Sequence, residues 1–215
     1  MSLETKRQES IDSIQKLMKP KLLLILSGKR KSGKDFLEQL LMEKYPGKIL
    51  SFRISAPIKQ EYAKCNNLNF EELLTSSEYK ESFRKQMVEW SESIRKQDSN
   101  YFLRLTILDS YRKNNGHEKP IWILNDARRK TDLEYFDSNN EINLENCKKL
   151  LIRIESNDQV RKNRGWKFTN GIDDQTTECG LDNFTDWNYC IQNNGTKDEL
   201  IEKLLPILSE IDNIL

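Results

Sequence analysis

The fold of this 215-residue chain is decided by residues 22–35, which read LLLILSGKRKSGKD. The apolar run Leu22–Leu26 predicts a strand that is buried on both faces, as in a parallel sheet. Gly28 to Lys34 then follow the spacing G-x-x-x-x-G-K, between that strand and a helical pattern. In such a loop the backbone N–H groups and the next helix N-terminus face phosphate oxygens. The stretch therefore predicts a site for nucleotide phosphates.

The composition of this loop departs from the general motif in two ways. Its last position holds Asp35, where Ser or Thr usually ligates Mg²⁺. A carboxylate can take that role directly or through water, so Mg²⁺ binding stays in the prediction. Lys29, Arg30 and Lys31 make the loop very basic, which indicates that it faces more than one phosphorylated ligand. A chance match or a basic localisation-type run are the alternatives, but neither needs the apolar strand.

Strand and helix patterns alternate along the rest of the chain. This alternation predicts an α/β fold, with a parallel sheet covered by helices on both faces. Strands are expected at 22–26, 49–54, 121–124, 149–154 and 188–192, and helices at 34–45, 57–65, 78–95, 99–111 and 196–214. The polar, glycine-containing stretch 157–183 predicts a mobile lid. We expect an N-terminal appendage at 1–20 and one domain at 21–215, with its core at 21–55, 115–156 and 184–215 and a helical acceptor-binding arm at about 56–114.

Composition argues against several other classes of protein. The 35 basic and 34 acidic residues give a net charge of +1, so no general affinity for nucleic acid is expected. The only histidine, His117, lies in a polar loop pattern, which gives no support to a Ser–His or Cys–His nucleophile pair. No C-x-x-C pair is present, so the cysteines are expected to be reduced thiols. No membrane-length apolar run or signal-peptide pattern is seen, and we expect a cytoplasmic protein.

Further segments occur in the order found in animal-type phosphomevalonate kinases, and the chain resembles that family. Besides the loop they are SAPIK at 55–59, YKESFRK at 79–85, WILNDARR at 122–129, RKNRGW at 161–166 and ECGLDNF at 178–184. Asp35 is itself part of that family's loop, so it favours the resemblance. The resemblance implies a P-loop protein of the nucleoside-monophosphate-kinase-like group, acting as a monomer. It would transfer the γ-phosphoryl group of ATP, with Mg²⁺, to (R)-5-phosphomevalonate, giving 5-diphosphomevalonate and ADP in isoprenoid synthesis.

Site residues follow from the motif and the resemblance together. Phosphoryl transfer to a phosphate needs charge neutralisation and alignment more than a base, because the acceptor is already ionised. The residues expected to act on the transferring group are Lys34, Lys31, Arg30, Arg128 and Arg164. Those expected to bind ATP are Gly28, Lys29, Arg30, Lys31, Ser32, Gly33, Lys34, Asp35, Arg161, Arg164 and Asn194. Those expected to bind the acceptor are Lys59, Lys80, Arg84, Arg95, Arg128, Arg129, Arg153 and Asn193, and Mg²⁺ is expected at Asp35 and Asp126.

The residues after the strand at 121–124 also have support from their position. Arg128 and Arg129 follow this strand, and open α/β sheets bind ligands beyond such strand ends. A solvated surface pair is the alternative for these arginines. Asp126 lies where an acid that orients Mg²⁺ is expected, and its alternative is a cap for a helix near Thr131.

Spacing supports the remaining residues unequally. Arg161 and Arg164 are three positions apart, so a helical turn would place both on one face of the lid. Spacing alone would leave Lys80 and Arg84 in solvent, and their assignment rests on the resemblance. The turn at 193–196 either lies near adenine or simply begins the last helix.

Three alternative functions share part of these features. A nucleoside monophosphate kinase would have the same fold and arginines but a pocket for a second base. A non-enzymatic ATP-binding switch would keep the loop without the lid arginines. Nucleic-acid binding through Lys29–Lys34 is disfavoured by the balanced charge and the lack of interleaved aromatic residues.

Overall fold

The computed structural model of the chain describes residues 3–74, 78–137, 141–142 and 144–215. Within these ranges it contains a five-stranded parallel sheet with the strand order β2-β3-β1-β4-β5. The strands are β1 (Leu22–Ser27), β2 (Ile49–Phe52), β3 (Ile121–Ala127), β4 (Lys148–Glu155) and β5 (Tyr189–Gln192). The predicted parallel α/β sheet is confirmed, and all strands end at one edge.

Helices occupy most of the chain between the strands. They are α1 (Leu3–Gln15), α2 (Lys34–Lys44), α3 (Ser55–Asn66), α4 (Phe70–Leu74), α5 (Glu78–Gln97), α6 (Tyr101–Lys113), α7 (Lys130–Glu134), α8 (Asp158–Asn163), α9 (Thr176–Cys179) and α10 (Lys197–Asp212). A 3-10 helix lies at Gly116–Glu118. Three of these, α1, α4 and α9, have no predicted counterpart, because short or mostly polar helices leave little apolar periodicity.

The two faces of the sheet are covered by different helices. Leu22–Leu26 are each 0% exposed, which confirms that β1 is buried on both faces. On one face Leu23 and Trp122 pack with residues of α1 and α6. On the other face Leu24 and Ile123 pack with residues of α2 and α10. No helix in the described ranges is both long and apolar enough to cross a membrane.

The segment before residue 20 packs against the domain through α1. Ile14 is fully buried in the core beside α6. The hydroxyl of Ser10 accepts a hydrogen bond from Nε of the fully buried Arg104 at 3.0 Å. The segment expected as an appendage therefore contributes to the core, and the division of the chain at residue 20 stays a prediction.

Helices α3, α4 and α5 form an arm with its own small core. Tyr62, Leu73 and Met87 are buried together there. The ring of Trp90 lies 5.5 Å from that of Tyr62 and 5.6 Å from that of Phe102 in α6, so it joins the arm to the main core. Met87 and Trp90 therefore serve packing, and the polar face of α5 is left for the site.

Candidate active site

The phosphate loop is shaped by its two glycines. A Cβ at Gly28 would lie 2.5 Å from the carbonyl oxygen of Ile154 in β4, so only glycine allows this approach. Gly33 has φ of 108°, and a Cβ there would clash with the side chain of Asn193. Lys31 also has a positive φ, of 62°. These conformations curl the chain so that α2 begins at Lys34, with its N-terminus facing the loop.

Lys34 is a buried cation at the centre of the site. Its residue is 7% exposed, and Nζ lies 3.7 Å from Oδ2 of Asp35. Burial is the main cause that lowers its pKa, followed by the charge of Arg128, while Asp35, Asp126 and Glu178 act in the opposite direction. A partly desolvated ammonium of this kind favours an anionic ligand, which would restore the charge balance.

A polar cavity of about 290 Å³ opens beside Lys34 at the carboxyl edge of the sheet. Its lining includes residues of the loop, of β3 and of the arm that were all predicted to take part in one reaction. These residues are Lys34, Asp35, Arg95, Asp126, Arg128 and Arg129. Arg53, Asp132 and Thr177 also line the cavity. Residues at the ends of β2 and β3 line it together with Lys34, so the cavity lies between the loop and the start of the arm.

Asp35 and Asp126, where the sequence predicts Mg²⁺, both line this cavity. Burial raises the pKa of Asp35, but Lys34, Arg53 and the amide of Asn125 outweigh it and hold the pKa below its ordinary value. The Asn125 amide donates to Asp35 Oδ1 at 2.9 Å. Among the described residues, no group of three or more His, Cys, Asp or Glu is arranged to hold a metal. A metal here would therefore take its other ligands from phosphate and water, which is usual for Mg²⁺.

Asp126 also has a structural task. Its Oδ1 accepts a hydrogen bond from the backbone N–H of Ile54 at 2.9 Å, just before α3 begins. The cap near Thr131 that was the alternative for Asp126 is supplied by Asp132, the third residue of α7. Asp126 thus ties the start of the arm to β3, and its part in Mg²⁺ binding stays a prediction.

Asp132 fixes the arginines that follow β3. Its Oδ2 accepts from the backbone N–H of Arg128 at 2.9 Å and from that of Arg129 at 3.0 Å. Its Oδ1 lies 3.7 Å from Nη1 of Arg95, which is buried. The guanidinium of Arg129 pairs with Glu92 of α5. The side chains of Arg128 and Arg129 are only 18% and 15% exposed, so the solvated surface pair is excluded.

The arm supplies a second cluster of cations. Burial lowers the pKa of Lys59, and the nearby charges of Lys80 and Arg84 lower it further. Burial likewise lowers the pKa of Lys80, Arg84 and Arg30 of the loop lower it further, and Glu81 acts in the opposite direction. Lys80 and Arg84 are half-buried, so the structure places them near Lys59 and not in solvent as spacing alone would suggest.

The lid segment lies directly on the phosphate loop. Nε of Arg161 donates to the carbonyl oxygen of Arg30 at 2.9 Å, and its guanidinium stacks 3.8 Å from the ring centre of Trp166. Nη1 of Arg164 donates to Ser156 Oγ at 2.9 Å and to Ser32 O at 3.2 Å. Both lid arginines therefore face the loop, in agreement with their spacing.

Two residues expected to bind the acceptor lie elsewhere. Arg153 donates to Ser27 Oγ at 3.0 Å and lines a separate cavity with Lys29 and Arg161. Asn193 lines a recess with Gly33, Arg164 and Phe36, and its side chain donates to Ser32 O at 2.9 Å. Arg153 lies in β4 and Asn193 follows β5, and these strands end on the lid side of the loop, away from β3. Both residues therefore lie on the lid side. Asn194 accepts from the Asn157 N–H at 2.8 Å, next to the same recess.

Besides Asp132, two more charged residues of the site had no predicted role. Arg53, at the end of β2, pairs with Glu38 of α2 and lies 3.4 Å from Asp35. Glu178, in α9 of the lid, accepts hydrogen bonds from Arg30 and Arg128. The position of Arg53 after a strand was an available signal. Glu178 belongs to a segment that carries the resemblance, but its contact with Arg128 spans 50 residues and is visible only in the fold.

Comparisons with known proteins agree with this geometry. Residues 26–142 match the family described as phosphomevalonate kinase. The phosphomevalonate kinase of Drosophila melanogaster is 33% identical over 186 residues, which cover 86% of this chain and 94% of that protein. Among solved structures, TT1252 from Thermus thermophilus has a TM-score of 0.50 at 14% identity and covers 89% of this chain and 98% of its own. This last likeness concerns the fold alone.

Proposed function

The chain belongs to the phosphomevalonate kinase family, and from this membership we propose that it transfers the γ-phosphoryl group of ATP to the phosphate of (R)-5-phosphomevalonate. The products are 5-diphosphomevalonate and ADP. The observation that carries the proposal is one cavity that joins Lys34 of the phosphate loop to the arginines after β3. Such a cavity suits two anions whose phosphates must come together against their mutual repulsion.

The nucleotide side of the reaction is built by the loop, α2 and the lid. Backbone N–H groups of the loop and the N-terminus of α2 hold the phosphates, and Lys34 reaches the γ-phosphoryl group. Arg161 and Arg164 already lie against the loop, where their guanidinium groups can turn from carbonyl oxygens to phosphate oxygens. Asp35 and Asp126 would hold Mg²⁺, which would supply positive charge to offset that of the ATP phosphates.

The acceptor side uses cations without a general base. Arg128, Arg129 and Arg95 hold the acceptor's phosphate near the γ-phosphoryl group, while Lys59 and Lys80 face its carboxylate. The acceptor phosphate has a second pKa of about 6, so it is already a nucleophile near neutral pH. The only histidine, His117, has a side chain 56% exposed in the 3-10 helix and is not needed.

An ADP-release assay that compares acceptors tests this function. We expect turnover with 5-phosphomevalonate and background rates with nucleoside monophosphates, because the half-buried lysines of the arm suit a carboxylate better than a second base. Turnover with a nucleoside monophosphate and none with 5-phosphomevalonate would select the alternative kinase. Equal ADP release in a single turnover with and without acceptor would instead indicate an ATP-binding switch.

The proposal extends to a monomeric, cytoplasmic enzyme that does not bind nucleic acid. The balanced charge of the chain supports the last point, because it provides no general electrostatic attraction to a phosphate backbone. Light scattering on the purified chain and imaging of a tagged copy test the other two.

A further inference from the structure

Glu178 places a carboxylate among the cations of the active site. The residue is 9% exposed. Its Oε2 accepts a hydrogen bond from the backbone N–H of Arg30 at 3.1 Å and another from Nη1 of Arg128 at 2.9 Å. One oxygen thus receives an amide of the phosphate loop and a guanidinium from the edge of β3 at the same time. Charge-assisted hydrogen bonds of this kind strongly constrain the direction of a guanidinium.

Arg128 is held between this carboxylate and the loop. The same nitrogen, Nη1, also donates to the carbonyl oxygen of Gly28 at 3.1 Å. Without Glu178, the guanidinium of Arg128 would keep only one neutral acceptor, the carbonyl oxygen of Gly28. It would also face the positive charge of Lys34, whose pKa is lowered in part by the charge of Arg128. Glu178 therefore sets both the direction and the local charge balance of Arg128.

The position of Glu178 depends on close packing between the lid and β3. A Cβ at Gly180 would lie 2.7 Å from the carbonyl oxygen of Arg128, so only glycine lets α9 approach this closely. Thr177 of the same helix lines the cavity of Lys34. The lid also holds the side chain of Arg30, whose Nη1 donates a hydrogen bond to Asp173 Oδ2 at 3.1 Å. Glu178 is thus fixed in place by its surroundings.

We propose that Glu178 is a positioning residue for phosphoryl transfer, which aims Arg128 at the transferring group through their shared hydrogen bond. This inference rests on the proposed function. Because the carboxylate is itself negative, it opposes the binding of ATP slightly while it orients the arginine. Its removal is therefore expected to lower kcat without raising KM for ATP. A residue that only stabilises the fold would not separate these two constants in this direction.

The test measures kcat and KM for both substrates in Glu178→Gln, which keeps the shape and loses the charge. We expect kcat to fall by roughly 10-fold to 100-fold, the range that misplacement of a reacting group produces, with KM for ATP unchanged or lower. Asp174→Asn is the matched control, because Asp174 is an exposed acid of the same segment. The control is expected to retain wild-type constants.

A double-mutant cycle decides whether Glu178 acts through Arg128. In the Arg128→Ala background, Glu178→Gln is expected to change kcat by less than twofold. Full additivity of the two losses would overturn the proposal, and so would a kcat for Glu178→Gln within twofold of wild type. Gly180→Ala, which moves α9 and leaves every charge in place, is expected to lower kcat as well. If the wild-type chain itself shows no turnover with 5-phosphomevalonate, the proposed function is wrong, and this inference is wrong with it. If only the variants of Glu178 behave otherwise than expected, this inference alone is wrong.

Discussion

The cations on the lid side of the phosphate loop and those of the arm are balanced in different ways. Three arginines each meet an acid of the segment 157–183, in the pairs Arg30–Asp173 and Arg161–Asp158 on the lid side and Arg128–Glu178 at the edge of β3. On the arm, neither Lys59 nor Lys80 forms an ion pair within the part of the chain that the structure describes, and the pKa of each is lowered by burial and by neighbouring cations. The arm also carries acids, since Glu81 pairs with Arg84, but among the described residues neither of these two lysines has an acid as an ion-pair partner.

This difference suggests how each of the two substrates binds. Paired arginines keep their geometry without a ligand, so we expect the phosphate loop and the edge of β3 to be organised before ATP binds. Unpaired lysines repel one another until an anion enters, so the arm gains most from an acceptor that brings a carboxylate and a phosphate. Selectivity for the acceptor would then come from the arm lysines, which have no acid as an ion-pair partner. Catalysis would depend on the arginines that the acids already hold in place.

Lys34 lies between both regions, and its loss is expected to have the largest effect. Lys34→Met removes the cation that reaches the transferring group, and kcat should fall by about 10²–10³-fold. The fold should persist, because methionine fills a similar volume in a site that is 7% exposed. Steady-state kinetics and circular dichroism check this prediction. Normal turnover with a native spectrum would contradict the assignment of the loop.

Arg164 tests whether the lid side acts mainly in the transition state. It donates to Ser32 O and Ser156 Oγ, and these neutral partners are easily exchanged for phosphate oxygens. Arg164→Ala is expected to lower kcat by roughly 10²-fold and to raise KM for the acceptor far less. Lys162→Ala, at an exposed position of α8, serves as the control in the same assay. A rise in acceptor KM with unchanged kcat would remove Arg164 from this role.

The contrast between the two regions also explains what the sequence could predict. The apolar run at 22–26 and the glycines of the loop define β1 and its turn locally, and both were predicted. Arg128 follows a strand, so its place at the sheet edge could be predicted as well. The contacts that pair or fix the charged groups could not be predicted. The Arg128–Glu178 pair and the Asp126–Ile54 hydrogen bond join residues that are 50 and 72 positions apart. Such contacts depend on how the lid and the arm fold back on the sheet.

Removing one arm lysine is expected to weaken acceptor binding without harming the fold. Lys59→Met or Lys80→Met should raise KM for 5-phosphomevalonate by about 10-fold, equal to roughly 1.4 kcal/mol, with little change in KM for ATP. Neither variant should unfold more easily than wild type, because each relieves repulsion. Lys64→Met, at an exposed position of α3, is the control. Kinetics and thermal melting measure the two effects separately.

Arg161→Met makes the opposite change on the lid side. Arg161 is 5% exposed, stacks on Trp166 and donates to Arg30 O. Its loss should lower the free energy of unfolding by about 1.5–3 kcal/mol, the usual range for hydrogen bonds of a buried charged group. If Arg161→Met proved as stable as Lys59→Met, the proposed difference between paired and unpaired cations would be wrong.

The smallest expected effect is the contribution of Lys59 in the arm to the dependence of stability on pH. The folded protein holds the pKa of Lys59 below 10.5, its ordinary value, so between the two pKa values the unfolded chain binds more protons. The cost of the charged lysine is complete below the folded pKa and is lost as pH rises through it towards 10.5. Lys59→Met should therefore be more stable than wild type near neutral pH, by less than about 1 kcal/mol because the side chain is partly in water.

Denaturant unfolding of wild type and Lys59→Met at several alkaline pH values measures this difference. The gap between the two proteins should narrow as pH rises, while the gap between wild type and Lys64→Met should stay nearly constant. A gap that widens with pH would mean that the charged form of Lys59 is stabilised in the folded protein. In that case the arm would already contain the counter-charge that we assign to the acceptor, and the contrast with the lid side would no longer account for acceptor binding.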